Sequence, residues 1–142
     1  MADSLSITFD DTAIRAALTS LGDFAQPYIN EASRESAQSM VREAQGRLQR
    51  QLGPNATGQT VAGIQSMPAR DGNGYVVVSS RGYMPMLPFW LERGFERGKP
   101  GSHTQAAKPF FYVAAELTRG EHRRRLSDAL QQAIDDKGLG GT

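Results

Sequence analysis

The side chains able to act as nucleophiles, general bases or metal ligands are few, and their spacing joins them into no familiar site. The two histidines, His103 and His122, stand 19 positions apart and match no ligand spacing such as H-E-x-x-H, so both read as ordinary surface histidines. Cysteine is absent, which removes the commonest strong nucleophile, any thiolate metal site and any disulfide framework. No serine stands in a G-x-S-x-G elbow. The run Gly94-Phe95-Glu96-Arg97-Gly98-Lys99-Pro100 imitates a phosphate loop and fails twice. Three residues separate its glycines instead of four, and Pro100 replaces the Ser or Thr that would bind magnesium. Carboxylates are scattered among basic residues, with no acid–base pair set apart. Asn55-Ala56-Thr57 matches a glycosylation sequon, read as a chance match in a chain without a secretory signal. The expectation is a protein that is not an enzyme and takes no metal or organic cofactor.

Two segments have the chemistry of binding. Arg119, Arg123, Arg124 and Arg125, with Lys99 in the preceding loop, offer cations to nucleic acid. Helical geometry weakens that reading: consecutive residues turn by about 100°, so the arginine triplet spreads over roughly 200°. Glu121, four before Arg125, and Asp128, four after Arg124, supply local partners. A solvated, self-paired face is therefore favoured. The second segment runs from Tyr83 to Phe95. Tyr83, Met86, Trp90, Arg93 and Phe95 are residue types enriched at protein interfaces. Part of such a run belongs to the core, with alternate residues turned outward to a partner.

The elements that must position these residues follow from periodicity. Leu5, Ile7 and Phe9 alternate with polar residues, as in a half-buried strand. A short helix capped by Asp10 or Asp11 follows, with Ile14, Ala17, Leu18 and Leu21 inward and Gly22 at its end. A second helix of about seven turns begins at Asp23, tolerates Pro27 in its first turn and stops at Gly53-Pro54. Its apolar stripe is Tyr28, Ala32, Ala37, Met40, Val41, Ala44, Leu48 and Leu52. Residues 59–68, with Val61, Ile64 and Met67, and residues 75–80 read as a β-hairpin turned by Asp71-Gly72-Asn73-Gly74. A short helix starts near Pro88, and 94–107 is a Gly/Pro-rich protruding loop. The last helix runs from Pro109 to about Lys137 with Phe110, Ala114, Leu117, Leu126, Leu130 and Ile134 inward, Gly120 weakening its centre, and 138–142 frayed.

These elements predict a single α+β domain over residues 1–142, with the long helix and the C-terminal helix packed on a small antiparallel sheet that includes a hairpin. At this length roughly 68–70% of the unfolded surface can be buried, enough for one core without staples. Met1-Ala2-Asp3-Ser4 lacks the basic stretch and apolar run of a signal peptide, and no segment reaches the roughly 18 apolar residues of a membrane span. A soluble product of the cytosol is expected. The formal net charge of +1 gives no bulk attraction to nucleic acid or anionic membrane.

Three spaced signatures complete the reading. Pro54-Asn55-Ala56-Thr57-Gly58 gives P-x-x-T-G after the long helix; Leu91-Glu92-Arg93-Gly94 gives L-E-x-G; Lys108-Pro109-Phe110-Phe111, then Ala114-Ala115, open the last helix. In this order the set resembles the tailed-bacteriophage neck or tail-completion (head–tail joining) proteins of the lambdoid gene-ten type, over residues 25–135. Ala56, Thr60 and Phe95 stand where that family usually has Asp, Leu and Thr. The resemblance implies a virion structural protein at the head–tail junction, present in the host cytoplasm during assembly. It implies a homo-oligomeric ring, sixfold, around the channel through which DNA passes without specific binding. The implied partners are the phage connector and the tail-tube or tail-terminator proteins. Pro54, Thr57, Gly58, Glu92, Gly94, Pro109 and Phe110 are the structural motif residues: Thr57 bonds locally, Gly58 permits the turn and Pro109 opens the helix. Tyr83, Met86, Trp90, Arg93, Phe95, Arg97 and Lys99 are the expected interface. The alternative is a nucleic-acid-binding accessory protein using the basic C-terminal helix.

Overall fold

The computed structural model describes residues 4–10, 24–54, 58–79, 81, 87–97 and 103–136. The helix expected over Asp10 to Leu21 and the tail 138–142 lie outside these residues, apart from Asp10 itself, as do Thr57, Tyr83, Met86 and Lys99.

Helix α1 (Gln26–Leu52) is the long helix foreseen, starting three residues later than expected. Pro27 sits in its first turn, where a missing N–H costs nothing, and Ala25 provides no side-chain cap. Gly53, at φ 80°, ends the helix, its N–H donating to the Gln49 carbonyl. The inward face is Ile29, Ala32, Ser33, Ser36, Ala37, Met40, Ala44 and Leu48. Small residues fill much of it, which lets a second helix approach closely.

That second helix is α4 (Phe111–Asp136), antiparallel to α1. Gln51 near the end of α1 donates through Nε2 to the Pro109 carbonyl at 2.8 Å. At the other end the Tyr28 hydroxyl donates to Asp136 Oδ2 at 2.6 Å. This bond, more than desolvation or the carboxylate's charge, holds the phenol above its ordinary titration range. Ala25 packs on Ala133, and Ile29 and Ala32 on Leu126. Gly120 leaves α4 unbroken. One expected inward residue is corrected: Leu117 is exposed, and Thr118 is buried in its place. The Thr118 hydroxyl donates to the carbonyls of Ala114 and Ala115 at 3.0 and 3.1 Å, so its burial leaves no orphan donor.

The sheet has three antiparallel strands, β1 (Ser6–Phe9), β2 (Gln65–Pro68) and β3 (Tyr75–Val78), in the order β1-β3-β2. Phe9 and Pro68 flank Tyr75 from either side, and Ser6 and Gln65 flank Val78. The β2–β3 turn is tied by Asp71, whose Oδ1 accepts from the Asn73 N–H, and by positive φ at Gly72 and Gly74. The first strand of this hairpin is shorter than expected. Residues Gln59–Ala62 form a helical turn, α2, launched by Gly58 in the left-handed conformation, so Val61 is helical and Ile64 precedes the strand. The expected location of Val61 on a strand is thus overturned: the backbone bonds from Ala62 to Gly58 and from Gly63 to Gln59 close before strand pairing begins.

After α3 (Leu87–Arg93), residues 94–107 are not wholly loop. Phe95–Arg97 (β4) and His103–Gln105 (β5) pair antiparallel as a separate two-stranded ribbon, a hairpin that Gly/Pro richness concealed. The main core joins sheet and helices through Leu5, Phe9, Met40, Leu48, Ile64, Val77, Leu91, Phe110 and Phe111.

Candidate functional site

The junction between α3 and α4, at the margin of the core, is the best-organised site. Helix α4 begins without a local side-chain cap, and its first N–H groups need acceptors. Glu92 supplies them from α3, eighteen positions upstream of Phe110. Its Oε2 accepts from the N–H of Phe110 at 2.7 Å and of Phe111 at 2.9 Å, and its Oε1 from Tyr112 at 3.2 Å. The carboxylate is buried, with 8% of the residue exposed, and it faces the positive end of a helix. Beside it the Lys108 N–H donates to the Leu91 carbonyl at 2.7 Å. Gly94, at φ 78°, closes α3 by donating to the Trp90 carbonyl, and the ribbon β4–β5 leaves from this point.

The L-E-x-G and K-P-F-F signatures therefore form one structure. Glu92 clasps α4, Gly94 turns the chain into the ribbon, Pro109 precedes the helix, and Phe110 and Phe111 anchor the joint with no exposed surface. Gly58 has the positive φ, 82°, expected of it, whereas Pro54 is an exposed residue past the end of α1. Of the expected interface residues, Trp90 and Arg93 face solvent on α3, with the Arg93 guanidinium 5.2 Å from the Phe89 ring centre. The backbones of Phe95 and Arg97 form β4; their side chains lie outside the described set. Tyr112, Val113 and Leu117 on α4 are also exposed, and the sequence reading missed all three as surface residues. Trp90 and Tyr112 thus stand exposed on the two helices that the clasp joins, and both are residue types that partners cover.

The basic face of α4 is partly self-paired. Arg125 meets Glu121 at 3.2 Å and Arg119 meets Glu116 at 3.0 Å, but Arg124 forms no ion pair with Asp128. His122 is not an ordinary surface histidine. It is half-buried, its Nδ1 2.7 Å from Ser36 Oγ, its ring edge-on to Phe9 at 5.0 Å. A serine–histidine pair suggests nucleophilic chemistry, but Ser36 is wholly buried on the inner face of α1, out of reach of any substrate. The pair is a contact between helices. Among the described residues no three metal-ligating side chains gather.

A groove of about 400 Å³ runs between β1 and α4, lined by Ser6 to Asp10 on one side and by Ala115, Arg119 and His122 on the other. No helix among the described residues is long and apolar enough to cross a membrane. Comparison of this chain with family models, with curated proteins and with solved structures gives no match.

Proposed function

We propose that this protein is a non-enzymatic adaptor subunit of a tailed-phage neck, assembling as a ring at the head–tail junction around the DNA channel. One observation carries the reading: two of the three ordered signatures meet physically in the Glu92 clasp, which fixes the base of a separate two-stranded arm to the body. A ring subunit needs such a division, because a heterologous contact joins one patch to a different patch on the next copy. The exposed Trp90 and Tyr112 beside the clasp and the near-neutral net charge agree with protein contacts and with DNA that slides past unheld.

Negative-stain electron microscopy of the purified protein, alone and with tail-tube protein, tests this. Rings with a central channel are expected. A monomer that binds duplex DNA with steep salt dependence overturns the reading in favour of nucleic-acid binding through Arg119, Arg123 and Arg124, all exposed on α4.

A further inference from the structure

The two edges of the three-stranded sheet are not alike. Leu5 accepts from the Ser79 N–H at 3.0 Å, so the alternation of an antiparallel ladder turns the backbone groups of Ile7 and Phe9 toward β3 as well. The N–H and C=O groups of Ser6 and Thr8 then point the other way, away from the sheet. On the opposite edge the Ala69 N–H donates to Gly74, which by the same alternation turns Ser66 and Pro68 outward. Pro68 has no N–H to offer, the usual guard of an edge strand. β1 has no such guard: no proline and no lysine lie in Ser-Ile-Thr-Phe, and the groove beside α4 runs along it.

We propose that the open edge of β1 receives strand β4 of a second copy of this chain, making an intermolecular sheet; this rests on the ring-assembly reading above. The arm fits in three respects. Among the described residues β4 and β5 pair only with each other, which leaves each one side to offer. The three residues of β4 match the four of β1 in length, both well within the groove's lining from Ser6 to Asp10. Charge is complementary: the groove carries Arg119, and the sequence of β4 brings Glu96, whereas β5 (His-Thr-Gln) brings no acid. Arg119 already holds Glu116, and its fork of five donors has room for a second carboxylate. Strand addition of this kind draws affinity from the main chain. Because arm and edge are different patches, repetition closes into a ring or extends as a filament.

The test uses the full-length protein. Thr8→Pro removes an outward donor without touching a bond to β3, copying Pro68 on the other edge. Unchanged circular dichroism with loss of rings in size-exclusion chromatography is expected. Cross-linking keeps the proposal open to refutation if that variant misfolds. Since the chain has no cysteine, Glu96→Cys in one batch mixed with Ser6→Cys or Thr8→Cys in another gives an unambiguous disulfide dimer on oxidation. Ser66→Cys, on the guarded edge, is expected to give none. Rings formed at wild-type yield by Thr8→Pro, or cross-links through Ser66→Cys instead of β1, overturn the proposal and leave ring assembly standing. So do rings without a β1 cross-link, or a Thr8→Pro variant that forms rings but loses a tail protein. A wild-type chain that stays monomeric rejects both readings together.

Discussion

Glu92 and two glycines show how unequal single positions can be. Replacing the carboxylate by Ala leaves three N–H groups of a buried helix end unmet, a loss of about 2 kcal/mol by the worth of charged caps. Urea denaturation should find that loss in Glu92→Ala and a smaller one in Glu92→Gln, whose amide oxygen still accepts. Gly58 and Gly74 share a left-handed backbone, but their surroundings differ. A Cβ at Gly58 meets open space, so Gly58→Ala should cost only the conformational penalty of about 1 kcal/mol. A Cβ at Gly74 would lie 1.9 Å from the Phe9 carbonyl oxygen, so Gly74→Ala must also displace β1 and should lower the thermal midpoint further. Ser33 works in the opposite direction. Its buried hydroxyl has no hydrogen-bond partner, so Ser33→Ala should stabilise by up to about 1 kcal/mol in the same assay.

Among the elements, the ribbon β4–β5 should be separable from the rest. Its strands pair with each other, and the joint that supports it lies at Glu92, Gly94 and Lys108. Replacing residues 96–106 by a short turn should preserve helix content and thermal midpoint, because loop-closure cost changes slowly with length, while abolishing rings. An unfolded deletion variant would place the ribbon in the core instead. This division was only partly legible beforehand. The spacing of Met40, Ala44 and Leu48 and the Gly53-Pro54 stop announced α1, and Asp71-Gly72-Asn73-Gly74 announced its turn. These signals are local. Gly/Pro-rich composition hid the ribbon, and Val61, Ile64 and Met67 suggested a strand from residue 59, where Gly58 starts a helical turn. Leu117 was assigned inward by type, but Thr118 fills that place because it bonds its own helix. The clasp was beyond local reading, since Glu92 serves backbone groups eighteen to twenty positions away.

The whole molecule balances its charge and keeps a built-in reporter. With a net charge of +1 and arginines partly matched by Glu116 and Glu121, its affinity for duplex DNA should be weak and its salt dependence shallow. Fluorescence anisotropy of a labelled duplex across a salt series measures both. The single tryptophan, Trp90, is 37% exposed, so ring formation that covers it should shift its emission to the blue in a concentration-dependent way. Because more than half of the Trp90 side chain is covered within the monomer, Trp90→Ala should lower the thermal midpoint as well as weaken assembly.

The clasp also bears on how such a chain could diversify. Glu92 binds backbone N–H groups, which every residue but proline carries, so beyond the buried Phe110 and Phe111 the clasp sets no side-chain type. The stretch between Gly94 and Lys108 is tied at its base by the bonds of Gly94 and Lys108 to α3, so lengthening, shortening or exchanging it should leave the body's fold in place. The arm is in effect a cassette, and grafting a different hairpin there offers a direct route to reprogramming which neighbour the body joins.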